Sequence, residues 1–485
     1  MTMGLESHPQ VQSRLLALPR ELRDMVYTYY TTTADGYRFS PETRRLTLAA
    51  GSFIDFGLMY TCKLIAIEMK ALHLRVNAVH FWTSCEGKDR ITSEALDSRL
   101  RHHFVLLCAI LREARAFIDD DVVRYVRETH PPFLSHIEQL RMVRRNYTLQ
   151  LDIWGAVPSL HRHFVYGTLQ YMLHGPNSAG LGELMYNEDL SAQDVQNLTT
   201  EAHPAWQIRK QAYLENPLFD DYRDGKSQRL SAAAIAISFL SSLSSKAKKE
   251  MRMIVLHEDE KADAWPECHA QGLIPFCQEN PNLHIERQVS LWGNMLPASS
   301  GDFMPNDDLT SFKVDSSQIT KRGFAPWIAE ALALPSLGMP PEAFKLTLDG
   351  NPRPDLATEI FAIAQRDALW QMLFENHNMD NSPPQSERWS LIRGNWTYIT
   401  NGFPGAIRDI VEGLSIVKCN FPTRSDSDAD RNRVSEIERL IEVNASWAYW
   451  HHGLWGMHWD SRSVHAYEVR TLEGGALDVQ RILHH

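Results

Sequence analysis

The stretch Leu15-Leu16-Ala17-Leu18-Pro19-Arg20-Glu21-Leu22-Arg23-Asp24-Met25-Val26-Tyr27 opens the first recognisable element of this chain. Pro19 suits a first helical turn, where a missing N–H costs nothing. Leu18, Leu22, Met25, Val26 and Tyr29 then recur at helical spacing and give one apolar face. A second helical pattern follows, through Leu58, Cys62, Ile65, Met69 and Leu72, and after it a strand-like run from Val76 to Trp82. Between the two patterns, Tyr37 and Phe39, then Leu46 and Leu48, alternate with polar residues around Pro41 and Glu42. That alternation is the period of a β-hairpin. The periodicity therefore predicts helix, hairpin, helix and strand in succession over residues 18–82.

This segment resembles the F-box, and in particular the F-box-like N-terminal segments of large fungal protein families. The residues that carry the resemblance are the run Leu18-Pro19-x-Glu21-Leu22-Arg23, then Met25, Val26 and Tyr29, and, in the later helix, Cys62 and Ile65. The resemblance implies that Leu18, Pro19, Glu21, Leu22, Met25, Val26, Tyr29, Cys62 and Ile65 are partner-binding residues. Their partner would be the Skp-type adaptor subunit of an SCF-type ubiquitin ligase, with the rest of the chain holding an unknown protein substrate. It implies no catalytic residue and no cofactor. Two departures are visible: residues 31–57 separate the two helices, and Ile65-Ala66 stand where a Trp is usual. Two other readings remain open. One is a non-ligase scaffold in which the same helices are buried against the body. The other is an enzyme with a site near the C-terminal Trp/His segment.

The chain has 485 residues, 44% of them apolar, which predicts a folded protein of two or three packed units. The expected divisions are an F-box-like module over 1–85, a mixed helix and strand body over 86–421, and a polar loop with a Trp/His-rich helical segment over 422–485. The fold class expected is α+β, a mixed arrangement in which helices cover a face of sheet. Net charge is -11 and spread along the chain, which argues against a general nucleic-acid binder. The basic clusters at 141–145 and 246–249 are short and read as solvated faces. The N-terminus is polar, without the apolar region of a signal peptide. The longest apolar run, Ala232 to Leu240, falls far short of the ~20 residues of a membrane span. No membrane partner is expected. The cysteines at 62, 85, 108, 268, 277 and 419 have no framework spacing, which predicts a reducing compartment, cytoplasmic or nuclear.

Strand-like runs in the body lie at Thr148–Trp154, Met251–Leu256, His284–Trp292 and Ala343–Leu348. Helix-like runs lie at Ser98–Tyr125, Gln228–Lys246, Pro326–Leu334, Pro354–Phe374, Pro404–Ile416 and Arg433–Trp447. The sequence lacks a Walker loop, a Gly-x-Gly-x-x-Gly turn, a Gly-x-Ser-x-Gly elbow and a His-Glu-x-x-His helix. His257, Cys268, His269, Cys277 and His284 are ligand types that zinc takes, but they lack the close pairs of a structural site, so no metal is predicted. In the C-terminal segment His451 and His458 would share a helical face among Trp447, Trp450, Trp455 and Trp459. Aromatic packing is the expected role of that cluster.

Overall fold

Seven strands make one sheet in the computed structural model, which describes residues 13–49, 51–85, 104–142, 156–175, 229–296, 318–379 and 398–423, with a few shorter stretches. They are β1 (Tyr37–Ser40), β2 (Arg45–Leu48), β3 (Val79–Trp82), β4 (Met253–Glu258), β5 (His284–Ser290), β6 (Phe344–Asp349) and β7 (Val417–Cys419). Their spatial order is β7-β6-β5-β4-β3-β1-β2. β1 and β2 form the expected antiparallel hairpin, with Tyr37 opposite Leu48 and Ser40 opposite Arg45. The other neighbouring pairs are parallel. After β1 the chain steps outward to β2, then returns across β1 to begin β3 on its other side. The fold is mixed α+β, as the sequence predicts. The expected strand at 148–154 and helix at 433–447 lie outside the described residues.

The N-terminal segment has the predicted succession of elements, yet it is no separate layer. It supplies three of the seven strands, so the division expected at residue 85 falls beside a sheet that continues into the body. Helix α1 (Arg20–Thr31) begins just after Pro19, which holds the cap position in an extended conformation. The second helix is not continuous. A 3-10 turn at Gly57–Tyr60 precedes α2 (Lys63–Glu68) and α3 (Leu72–Val76). Cys62 is extended and its Sγ accepts from the Ile65 N–H at 3.5 Å, which starts α2 afresh. Ala71, with φ at 62°, is left-handed and breaks α2 from α3.

Between β3 and β4 comes a helical unit with its own core. It holds α4 (104–113), α5 (Asp120–Thr129), α6 (Leu134–Met142) and α7 (Pro158–Leu173). The helix expected over 98–125 is interrupted because Asp119 leaves the helical conformation and caps α5, accepting from the Asp121 and Val122 N–H groups at 3.1 and 3.0 Å. Phe133 lies flat on Phe164 at the centre of this unit.

The remaining helices are α8 (Ala232–Ser242), α9 (Ser245–Glu250), α10 (Ile274–Glu279), α11 (Ala325–Ala333), α12 (Pro354–Met379) and α13 (Phe403–Val411). The main core takes side chains from one face of the sheet: Phe39, Val79, Phe81, Ile254, Leu256, Ile285, Val289, Phe344, Leu346, Leu348 and Val417. α8, α11, α12 and α13 pack on that face. The alternate positions, which point the other way, are mostly polar: Arg38, His80, Trp82, His257, Glu286, Gln288, Lys345, Thr347 and Asp349.

One buried ion pair joins these layers. Arg287 of β5 and Glu258 of β4 meet at 2.7 Å with side chains 1% and 0% exposed. Glu258 also accepts from the N–H groups of Ala232 and Ala233, donors in the first turn of α8 that no helical carbonyl reaches. Arg287 donates to the carbonyls of Pro266 and Glu267 in the 3-10 segment Pro266–Leu273, and its guanidinium lies 4.6 Å over the Trp327 ring of α11. Breaking such a pair leaves an uncompensated charge, at a cost of about 3–5 kcal/mol. Arg287→Met is therefore expected to lower the thermal unfolding midpoint strongly. The double variant Glu258→Gln/Arg287→Met should recover part of the loss, because it removes the charge while keeping an acceptor for α8. Differential scanning calorimetry of the two variants checks this.

Candidate functional site

On α1 the side chains that turn inward are Tyr27 and Thr31, not the apolar stripe. Leu22 (46% exposed), Met25 (68%), Val26 (41%) and Tyr29 (89%) face solvent. The reason is a polar anchor. Glu68 of α2, its side chain 3% exposed, accepts from Arg23 Nε and Nη2 at 3.0 and 2.6 Å and from the Tyr27 hydroxyl at 2.8 Å. Arg20 reaches the same carboxylate at 3.0 Å. These bonds, Arg23 first, hold the Glu68 carboxyl down at about 2. Tyr27 joins Ile65 and Met69 in a small apolar cluster beneath.

The nine residues expected to bind a partner thus divide. Leu22, Met25, Val26 and Tyr29 are presented together, and Pro19 and Glu21 are exposed beside them. Leu18 is half-buried and its carbonyl accepts from Arg23 at 2.6 Å. Cys62 and Ile65 are structural: one caps α2 and the other is 4% exposed within the cluster under α1.

A second set of side chains gathers on the polar face of the sheet. Trp82 of β3 is stacked on His257 of β4, with ring centres 4.4 Å apart and planes 14° from parallel. Arg38 of β1 lies over the Trp82 ring at 4.4 Å. His80 Nδ1 and His257 Nε2 are 3.0 Å apart, a hydrogen bond between imidazoles on neighbouring strands. Burial pushes both rings toward the neutral form, His257 down to about 4. Strand pairing alone brings these residues together, so no spacing in the sequence marks them.

The ligand types weighed for zinc are dispersed. His257 is on the polar face, Cys268 and His269 lie in the 3-10 segment, Cys277 is in the main core, and His284 starts β5 exposed. Among the described residues no group of three or more His, Cys, Asp or Glu is placed to hold a metal ion. The Trp/His cluster over 447–459 lies outside the described residues. His269 is locked between Ser231 Oγ at 2.7 Å and the Ala264 carbonyl at 2.8 Å, and burial lowers it to about 3.

Behind the 3-10 segment, Glu330 of α11 accepts from the Ser159 N–H and hydroxyl, each at 2.7 Å, and from Gln271 Nε2 at 3.0 Å. It joins the start of α7 to the sheet body. Burial raises Glu330 to about 7, against the opposing pull of Arg162 and the Ser159 bonds. Its side chain is fully enclosed, 1% exposed, so it faces no incoming substrate. Comparison with protein-family models, with curated proteins and with solved structures found no match.

Two outcomes follow from these acids, with opposite signs. Glu68 lies below its unfolded value, so its contribution is full above about 4.5 and is lost as pH falls toward about 2. Glu68→Gln should speed amide exchange in α1 at neutral pH, read by hydrogen–deuterium exchange over residues 20–31. Glu330 lies above its unfolded value, so its contribution is full below about 4.5 and is lost as pH rises through about 7. Across that window Glu330→Gln should flatten the decline of the unfolding midpoint with rising pH, measured by calorimetry at stepped pH.

Proposed function

We propose that this chain is an F-box-like interaction protein whose α1 face docks a Skp-type adaptor subunit, making it a substrate-recognition adaptor of an SCF-type ubiquitin ligase. The observation that supports this reading is the concentration of exposed apolar surface. Among the described residues, ten of the sixteen large apolar side chains that face solvent fall between Leu22 and Ile67. Exposed apolar patches of this kind mark interaction surfaces. Leu22, Met25, Val26 and Tyr29 recur at i, i+3, i+4 and i+7, the spacing by which a helix enters an apolar groove. α2 adds Leu64 and Ile67.

The remainder of the chain would carry the substrate protein. Among the described residues no helix is long and apolar enough to cross a membrane, and Cys62, Cys108, Cys268, Cys277 and Cys419 are free thiols. Free thiols fit the reducing cytoplasm or nucleus in which such ligases work.

The test is affinity capture from a fungal host, followed by mass spectrometry. Each side chain buried at the interface contributes ~1.5–3 kcal/mol. Met25→Ala/Tyr29→Ala, both highly exposed and remote from the Glu68 anchor, should weaken capture of a Skp-type subunit at least tenfold, since ~1.4 kcal/mol is a factor of ten. An unchanged unfolding midpoint verifies that the variant is folded. If the wild-type chain brings down no Skp-type subunit, the adaptor reading fails. If the double variant captures as well as wild type, the docking face is elsewhere.

A further inference from the structure

Ser40 closes β1, and Pro41-Glu42-Thr43-Arg44 turn the chain into β2. The register between β1 and β3 ends at Arg38 and His80, so beyond that point the hairpin tip is paired only with itself. Glu42, Thr43, Arg44 and Arg45 are exposed there, and Ser40 is half-buried on the polar face. Pro41 holds the residue before it away from the helical conformation, and Ser40 is extended. An extended serine followed by proline, on an exposed tip, is the form of substrate that proline-directed protein kinases take.

Strand pairing surrounds the Ser40 side chain with cations. Arg45 is its register partner across the hairpin. Side chains directly opposite on an antiparallel pair are in reach of one another. On the other side, two residues beyond the Arg38 and His80 pair, the same row reaches Trp82. His257 of β4 covers one face of the Trp82 ring, and the Arg38 guanidinium lies 4.4 Å over the other, on the side of β1 and Ser40. Neither Arg38 nor Arg45 has an ion pair within the protein.

Two acids lie near this row. Glu42 accepts from the Ser40 hydroxyl at 2.9 Å and is exposed, free to turn into water. Asp35 acts by its charge on His80, one row back along the strands. Ser40 Oγ itself accepts from the Thr43 N–H and hydroxyl at 3.2 and 2.9 Å. A phosphate oxygen in its place would find the same two donors.

We infer that Ser40 is a phosphorylation site for a proline-directed protein kinase, and that its phosphate is held between the guanidiniums of Arg45 and Arg38. In the transfer Ser40 Oγ bonds to the γ-phosphorus of ATP. The bond from that phosphorus to the β,γ-bridging oxygen breaks, ADP leaves, and the hydroxyl proton is released. The product adds a charge of about −1.5 to −2 and strong acceptor oxygens, which suit the forked donors of arginine. Two cations then face the phosphate against the single carboxylate of Glu42.

The test uses the folded full chain with Ser382→Ala, which removes the other Ser-Pro pair of the sequence. It is incubated with ATP and magnesium and, separately, a cyclin-dependent and a mitogen-activated kinase. Peptide mapping by mass spectrometry should place phosphate on Ser40, and Ser40→Ala should abolish that site. Phosphorus-31 spectra of the product then read the contact. Free phosphoserine titrates at about 6, and nearby opposite charges lower such a value. The Ser40 phosphate should titrate at least about half a unit lower in the folded chain than in the same chain unfolded in urea. Arg45→Gln and Arg38→Gln should each recover part of that difference. The inference is overturned if neither kinase modifies Ser40, if the folded and unfolded midpoints coincide, or if either arginine variant leaves the folded midpoint unchanged.

Discussion

The contact between Glu258 and Arg287 decides how the layers of this protein meet. Two charges with 0% and 1% of their side chains exposed would be untenable separately. Together they leave enough lone pairs and N–H groups to fasten the start of α8, the carbonyls of Pro266 and Glu267, and the Trp327 ring. Apolar packing alone is non-directional and would tolerate sliding of α8 along the sheet. The ion pair removes that freedom, because Arg287 Nε and Nη2 converge on Glu258 Oε1 while the Ala232 N–H holds Oε2, a geometry that accepts a narrow set of positions. The polar face of the sheet inherits this order, since β4 and β5 carry His257 and Gln288 one step from Glu258 and Arg287 along the same strands.

A comparable logic acts at the N-terminus. Glu68 collects Arg20, Arg23 and Tyr27 from three positions on α1 and fixes the helix about its own axis. With Arg23 and Tyr27 drawn toward Glu68, the helix presents Leu22, Met25, Val26 and Tyr29 outward. An arrangement that leaves apolar side chains in water is destabilising in isolation, and here it is held by charge-assisted bonds on the opposite face. The two ion-paired anchors therefore act differently: one closes a core, the other keeps a surface open.

Much of the frame was legible in the sequence, for identifiable reasons. Tyr37, Phe39, Leu46 and Leu48 announce the hairpin because one face of it is buried and the period is strict. β4, β5 and β6 appear as apolar or alternating runs. β7 leaves no signal in the sequence, since Val417–Cys419 is too short to show any period. The sequence predicts a single second helix because its apolar spacing continues through Ala71, but spacing carries no information about a left-handed residue. The stripe on α1 was visible while its direction was not, because the partner that turns the helix, Glu68, lies 45 residues from Arg23. The imidazole pair was invisible for the same reason at greater range: His80 and His257 are 177 residues apart.

That distance has a consequence for the order of events on the ribosome. β1, β2 and β3 emerge together within the first hundred residues, while β4, the next neighbour of β3, begins only at Met253. At roughly 5–20 residues per second, β3 spends on the order of ten seconds with one hydrogen-bonding edge unclaimed. During that interval the nascent chain displays both a bare strand edge, which invites pairing with other chains, and the apolar row of α1. β3 is therefore the strand of this sheet that waits longest for its next neighbour during synthesis.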